Sequence, residues 1–357
     1  MINSLRLRDF RNYKDKTFQF DQRNIVFYGP NGVGKTNVLE AISILSVGKS
    51  WREQSPSDLL RSGQEQPSAL INATDDQETN FEVQIQPRSR KFLKNNKAIS
   101  LKQYFGTIPT LLFAPEHLRL FSGAKRERQR FFDRFLYQIS PTYREALSTC
   151  QKATKHRNVI LKQCQESFES DQVSIFQAQL NPWNEILART IPQVFNERKQ
   201  FVEAITPLLQ EDLDLISQGT DQVLLELLQA EDYEPTPEGV LDFFEQNFVR
   251  ERGSGRTVIG PHRDDFGFIL RGKPLLASAS RGEERSVMLA LLAAKKKLLQ
   301  KTLNTSPIML LDDVFSELDQ SRQDRLGKFC ADCQVFFTTT HGGHFDNFVD
   351  VQEIALG

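Results

Sequence analysis

The eight residues Gly29-Pro30-Asn31-Gly32-Val33-Gly34-Lys35-Thr36 constrain this chain more than any other stretch. They fit G-x-x-x-x-G-K-[ST], a phosphate-binding loop that requires a strand before it and a helix after it. Both flanks are present. Asn24-Ile25-Val26-Phe27-Tyr28 reads as a short buried strand, and Asn37-Val38-Leu39-Glu40-Ala41-Ile42 opens an amphipathic helix. In such a loop the glycines let backbone N–H groups close around phosphate oxygens, and the helix N-terminus adds a favourable dipole. Lys35 then reaches the β- and γ-phosphates, and the Thr36 hydroxyl ligates Mg2+. The expectation is a binding site for a nucleoside triphosphate.

Such a loop needs a carboxylate at the end of a neighbouring strand to hold the metal shell. Leu310-Leu311-Asp312 supplies one, and Asp313 follows where a second carboxylate can orient and deprotonate an attacking water. Thr36 and Asp312 are 276 residues apart, so a large insertion splits the nucleotide fold. No N-K-x-D motif occurs, which argues for ATP over GTP. A third element, Ser278-Ala279-Ser280-Arg281-Gly282-Glu283-Glu284, leads into an apolar helix at residues 285–294. A small polar turn capping a helix leaves N–H groups for an anion. Since the chain already has a phosphate loop, this second anion site, centred on Ser280 and Gly282, suits the γ-phosphate of a partner copy. A capped core helix is the alternative.

Length and composition set the frame. With 357 residues, 25% charged and 39% hydrophobic, the chain has the make-up of a soluble protein of two or three lobes. The longest purely apolar run, residues 287–294, is too short to cross a bilayer. Residues 1–6 lack the pattern of a signal peptide, and the reading is cytosolic. Cys330-Ala331-Asp332-Cys333 is a lone CxxC, while Cys150 and Cys164 sit apart; two thiols flanking a helix end fit better than a zinc site. Net charge is −1, but its distribution is uneven. Residues 83–115 contain no acid and six cations: Arg88, Arg90, Lys91, Lys94, Lys97 and Lys102. Residues 211–245 contain eleven acids and no Lys or Arg. A solvated face and a phosphate-binding face both fit the basic stretch.

Residues 2–10 alternate as a strand with one buried face, and residues 17–20 suggest its hairpin partner. Further strands are expected at 69–73, 81–86 and 110–113. Helices follow at 125–138, 142–168 and 182–209. The third starts at Asn181-Pro182 and carries a short heptad seam: Leu187, Ile191, Val194, Arg198, Phe201, Ile205 and Leu208. An ordinary bundle core makes the same burial prediction. Gly253-Ser254-Gly255 marks a junction back into α/β sequence, with strands at 308–313 and 333–338. The expected division is residues 1–122 and 253–357 as the two parts of an α/β ATPase head, with residues 123–252 as an inserted, mainly helical arm.

Together these elements resemble an ABC-type P-loop ATPase head, a mixed sheet flanked by helices and split by an arm, as in structural-maintenance-of-chromosomes proteins. The resemblance is closer to the RecF family of bacterial recombinational-repair ATPases and covers essentially the whole chain. Leu7-Arg8-Asp9-Phe10-Arg11-Asn12-Tyr13 resembles its N-terminal strand motif, which implies that Arg11 and Asn12 lie beside the nucleotide. Pro115-Glu116-His117-Leu118, Arg128-Gln129-Arg130-Phe131-Phe132-Asp133 and Gly260-Pro261-His262-Arg263-Asp264-Asp265 resemble further family blocks. Leu311 to Asp319 resembles the second acid motif and the dimer-facing loop. The signature turn departs from the family's S-Q-G-Q, reading Ser280-Arg281-Gly282-Glu283, and Glu283 adds charge where the family has a neutral amide. His341 sits where ABC ATPases carry a switch histidine, though a solvent-facing loop histidine fits equally.

The resemblance implies an ATP-induced homodimer clamping two ATP·Mg2+, each between the Lys35 loop of one copy and the Ser280–Gly282 turn of the other. It implies slow, DNA-stimulated hydrolysis with Asp313 as base, and sequence-independent contacts to duplex or junction DNA through Arg88, Lys91, Lys94, Arg126 and Arg130. It also implies a role in repair and replication-fork maintenance, with RecO and RecR as partners in loading recombinase. Two other readings stay open: a P-loop metabolic kinase, and a structural head that dimerises on ATP.

Overall fold

The computed structural model describes residues 1–53, 55–165, 170–217, 219, 221–340 and 348–357. They form two compact units: Met1–Arg119 with Leu215–Ser217 and Ser280–Gly357, and Leu120–Asp214 with Gln218–Ala279.

The first unit is built on two sheets. One is antiparallel, in the order β2 (Tyr13–Gln19), β1 (Ile2–Phe10), β4 (Ala69–Asp75), β5 (Asn80–Gln86), β6 (Ser89–Lys94), β7 (Lys97–Ile99). The other runs β14 (Val351–Ala355), β3 (Asn24–Tyr28), β13 (Val335–Thr339), β12 (Ile308–Leu311), β8 (Thr110–Phe113), with every pair parallel. Parallel strands buried on both faces read as continuous apolar runs, which is why Ile25-Val26-Phe27 and Ile308-Met309-Leu310-Leu311 carry no alternation.

Helix α1 (Lys35–Val47) packs on β4 and β5 of the first sheet and on β8, β12 and β13 of the second. It buries nearly its whole circumference, Lys35 and every residue from Val38 to Val47, so the expected amphipathic helix is instead a core helix. The aromatic rings of Phe18, Phe20, Phe27 and Phe336 interlock beside it. The unit is completed by α2 (Leu101–Tyr104), α9 (Arg281–Leu303) and α10 (Gln320–Cys330).

The second unit holds α3 (Lys125–Ile139), α4 (Pro141–Gln165), α5 (Ser170–Ser217), whose last residues belong to the first unit, α6 (Pro237–Gln246), α7 (Phe248–Ser254) and α8 (Leu275–Ser278). It also holds a small sheet in the order β11 (Lys273–Pro274), β10 (Asp265–Leu270), β9 (Val223–Leu228). Residues 253–279, expected with the ATPase head, cluster here instead, because β10 pairs antiparallel with β9 along its whole length.

Helix α5 does not begin at Asn181-Pro182. It runs from Ser170 with Pro182, Pro192 and Pro207 inside it. Each proline removes one ladder hydrogen bond, and the buried seam offsets the loss. Leu187, Ile191, Val194, Arg198, Phe201 and Ile205 are all buried; beyond Pro207 the seam passes from Leu208, half-buried, to Leu209. The polar interruption has its partners. Arg198, 1% exposed, donates to Asp133 Oδ1 at 2.8 Å, the Tyr143 hydroxyl at 3.0 Å and the Pro261 carbonyl at 2.9 Å. That contact ties the seam to the Gly260–Asp265 turn. Gln129 Nε2 donates to the carbonyls of Pro261 (3.1 Å) and Asp264 (2.5 Å), and Arg128 grips Asp265 at 2.9 and 2.7 Å. Gly260, at φ 111°, supplies a backbone conformation that L side chains rarely adopt. The hexapeptide is thus a turn clamped by three side chains from two helices.

Candidate nucleotide site

Parallel pairing brings the C-terminal ends of β3, β8, β12 and β13 to one edge of the sheet, where ligands of open α/β sheets bind. The loop Gly29–Thr36 leaves β3 at that edge. Gly29, Gly32 and Gly34 all have positive φ (145°, 84°, 112°), the geometry of a chain turning its N–H groups inward. At Gly29 the fit is tight from behind: a Cβ there would stand 2.2 Å from the Leu356 carbonyl oxygen, just beyond β14. Lys35, buried, donates through Nζ to the carbonyls of Gly29 (2.6 Å) and Pro30 (3.0 Å), so the ammonium is already folded into the loop.

The second acid motif meets the loop directly. Thr36 Oγ1 donates to Asp312 Oδ1 at 2.8 Å, and Thr338 Oγ1 donates to the same oxygen at 2.8 Å. Asp313 N–H in turn donates to Thr338 Oγ1 at 2.8 Å. Asp312 is buried, and burial pushes its carboxyl above the usual carboxylate range against the two hydroxyls that pull it down. Thr36 and Asp312 could offer two oxygen ligands, a donor set that fits Mg2+. Asp313 stands in left-handed backbone at φ 47°, at the start of the turn Val314–Glu317.

Of the two residues expected beside the nucleotide, Asn12 touches the loop: its Nδ2 donates to Val33 O at 2.8 Å, and Asn37 Nδ2 donates back to its Oδ1 at 2.9 Å. Tyr13 joins it, with its hydroxyl donating to Gly34 O at 3.1 Å. Arg11 is engaged elsewhere. Its guanidinium forms a bidentate pair with fully buried Glu40 on α1 (2.9 and 2.6 Å) and reaches the Asp58 carbonyl at 2.6 Å. Thr338, Tyr13 and Glu40 were not singled out from sequence; Glu40 had a signal, a carboxylate inside an apolar helix that requires a partner.

The Ser280–Gly282 turn lies at the start of α9. Ser280 Oγ accepts from Glu283 N–H at 3.3 Å, and Glu283 Oε2 accepts from Ser280 N–H at 2.6 Å. Glu283 is therefore a capping-box residue. Arg322 of α10 braces the turn from behind, donating to Gly282 O at 3.0 Å and Ser286 Oγ at 3.0 Å. Among the described residues, no hydrogen bond of residues 29–36 reaches Ser280, Arg281 or Gly282. His341 lies outside the described residues.

Arg88 and Lys91 are exposed, in the β5–β6 turn and on β6; Lys94 is half-buried with Nζ 5.6 Å from the Phe81 ring centroid. Arg126 and Arg130 are exposed on α3 of the second unit. Cys330 and Cys333 are buried, burial pushing the Cys333 thiol up to about 12, and no metal-binding cluster is found among the described residues.

The fold and this site define a P-loop ATPase head of the ABC type, interrupted by an inserted unit. A family profile described as the RecF/RecN/SMC N terminal domain matches residues 1–355. The DNA replication and repair protein RecF of Ruminiclostridium cellulolyticum is 31% identical over 361 residues, covering 98% of this chain and 95% of that protein. A solved structure of the recombination mediator protein RecF-ATPrS in the RecFOR pathway superimposes with a TM-score of 0.85 at 24% identity, covering 99% of this chain and 96% of the other. Its RecF-ATP counterpart gives 0.84 at 25% identity, covering 96% and 92%. The chain belongs to the RecF family.

Proposed function

We propose that this chain is an ATP-controlled DNA-binding protein of recombinational repair and replication-fork maintenance. ATP binds on loop Gly29–Thr36, with Lys35 turning from its two loop carbonyls to the β- and γ-phosphates and Asn12 holding the loop. Thr36 and Asp312 would hold Mg2+, which would supply neutralisation of phosphate charge. Asp313 orients the attacking water and accepts its proton. A short carboxylate reaches less far than a glutamate, and slow, DNA-stimulated hydrolysis suited to a reset follows.

The observation carrying this reading is the division of the site. Thr36 and Asp312 touch within one copy, whereas among the described residues no hydrogen bond joins the capped Ser280 turn to residues 29–36. A second copy supplies that turn in trans, so ATP holds a homodimer together and its loss releases it. Arg88, Lys91, Lys94, Arg126 and Arg130 contact phosphates of duplex or junction DNA without reading sequence. The solved RecF-ATP structure, described as belonging to the RecFOR pathway, supports ATP as ligand; RecO and RecR are the partners proposed for loading recombinase. His341 remains a proposed nucleotide contact.

Light scattering and DNA binding, each with and without ATP and at several salt concentrations, test it. The expected result is an ATP-dependent doubling of mass accompanied by salt-sensitive DNA affinity. A monomer under every condition overturns the reading; a dimer without DNA affinity favours a purely structural head.

A further inference from the structure

Thr338 sits on β13, which lies between β12 and β3 in the parallel sheet, and it is 1% exposed. The rest of the buried run, Val335-Phe336-Phe337, is apolar, so a hydroxyl at this position needs partners. It offers one donor and two acceptor lone pairs. The donor goes to Asp312 Oδ1 at 2.8 Å, and a lone pair takes the Asp313 N–H at 2.8 Å. Strand register brings the three together: Leu311 pairs with Phe337, so Asp312 and Thr338 are the next residues on neighbouring strands. One hydroxyl thus holds both acids, the first by its carboxylate and the second by its backbone.

The two acids use that hydroxyl differently. The Asp312 backbone is fixed by its N–H, which donates to Phe113 O at 2.8 Å, but its carboxylate can still turn about two side-chain bonds. Thr36 and Thr338 both donate to Oδ1. Thr36 belongs to the loop that takes the phosphates in the reading above. Thr338 is set within the sheet, and its β-branched side chain is stiff at χ1. Thr338 is therefore the partner that keeps the carboxylate aimed while the loop exchanges its contacts. Asp313 stands where the chain leaves β12, at φ 47°, a conformation that non-glycine residues seldom adopt. Donating its N–H to Thr338 fixes the direction in which the chain departs, and with it the placement of the second carboxylate.

We propose that Thr338 is a positioning residue that sets Asp312 and Asp313 together, so that the metal-side carboxylate and the base are aligned by one hydroxyl. The proposal rests on the nucleotide reading above and deepens it, adding to the site a side chain that need not touch nucleotide.

Valine matches threonine in shape and lacks the hydroxyl, so Thr338→Val is the direct test. ATP affinity of the full chain is measured by isothermal titration in EDTA and in Mg2+, and hydrolysis at saturating ATP with DNA present. The valine chain is expected to bind ATP in EDTA within about twofold of the parent and to lose about tenfold of the gain that Mg2+ brings, as for one hydrogen bond to a charged group. Its maximal rate is expected to fall about tenfold or more, as for a displaced base. Thr338→Ser keeps the hydroxyl and is expected to restore both to within about threefold. Should urea unfolding show that the valine chain does not fold, Thr338→Cys, whose S–H is a weak donor, is read by the same measures. Retention of either the Mg2+ gain or the maximal rate overturns the proposal, as does a serine chain as impaired as the valine one. A merely structural hydroxyl lowers the urea midpoint and leaves the Mg2+ gain intact, which also overturns it. Asp312→Asn separates the proposal from the reading beneath it. If that variant loses the Mg2+ gain while the valine chain keeps it, the assignment of Thr338 alone fails; a parent chain without any Mg2+ gain overturns the nucleotide reading instead.

Discussion

Thr36 Oγ1 and Asp312 Oδ1 are 2.8 Å apart although 276 residues separate them in the chain, and Thr338 donates to that same oxygen at 2.8 Å. The two side chains are brought into contact by parallel pairing of β12 with β13 and of β13 with β3.

Asp312→Asn keeps the shape of that contact and removes its charge. ATP affinity measured in EDTA is expected to change by less than about threefold, whereas affinity in the presence of Mg2+ falls by about tenfold or more, as for loss of a charged ligand worth roughly 1.5–3 kcal/mol. Isothermal titration with and without Mg2+ separates the two. Equal losses under both conditions contradict the metal role.

Lys35→Met removes the ammonium that now donates to Gly29 O and Pro30 O. The lost charge-assisted contacts to phosphate predict a fall in ATP affinity of about tenfold to a hundredfold, or roughly 1.5–3 kcal/mol. A fluorescent ATP analogue titrated against both proteins measures this, and an unchanged affinity contradicts the assignment of the loop.

The inserted unit depends on a buried ion pair. Arg157 and Glu251 are 1% and 0% exposed and 2.5 Å apart, with Arg157 also donating to Asn184 and Thr257 and its guanidinium stacked 3.9 Å from the Phe244 ring centroid. Arg157→Ala strands a buried carboxylate and is expected to destabilise by about 3–5 kcal/mol in urea unfolding, while Arg157→Met with Glu251→Gln recovers part of the loss. Loss of less than about 1 kcal/mol in the single variant contradicts the burial seen here.

Asp264 gives a pH dependence with a definite sign. Burial raises its carboxyl from 3.8 to about 6, against the pull of Arg198. Between those values the native state holds a proton that the unfolded chain has released, so this group's contribution to stability falls as pH rises. Above pH 6 the native carboxylate is charged and buried, with Oδ2 lacking a hydrogen-bond partner among the described residues. Asp264→Asn is expected to match the parent near pH 4 and to exceed it by about 2–3 kcal/mol at pH 7. A difference that does not vary with pH contradicts it.

How much of this was legible in the sequence follows from the range of each signal. The loop, its flanking strand and the Asp312 strand were readable because each is a contiguous pattern: glycines where positive φ is needed, or apolar residues where both faces of a sheet are covered. Thr338 was not, because its role depends on β13 lying beside β12 and β3, a pairing no local pattern encodes. Arg11 was placed beside the nucleotide by resemblance, and its pairing with Glu40 became visible only once β1 and α1 were packed together. The start of α5 was misread for a physical reason. Asn181-Pro182 is a sound cap and first turn in isolation, but a seam buried on both sides of three prolines outweighs the ladder bonds they remove. Likewise Gly253-Ser254-Gly255 resembles a linker, yet the β9–β10 pairing, formed across more than thirty intervening residues, holds the following strand in the inserted unit.

The most direct measurement mixes two damaged chains. Lys35→Met spoils the loop and Ser280→Arg spoils the turn, and each alone is expected to hydrolyse ATP at background rate in the presence of DNA. In an equimolar mixture half of the two-fold dimers are mixed, and each mixed dimer holds one site with intact Lys35 facing intact Ser280, so about a quarter of the parent rate returns. A mixture as inactive as its components, or a Ser280→Arg chain that hydrolyses ATP at the parent rate by itself, contradicts a pocket completed by a second copy.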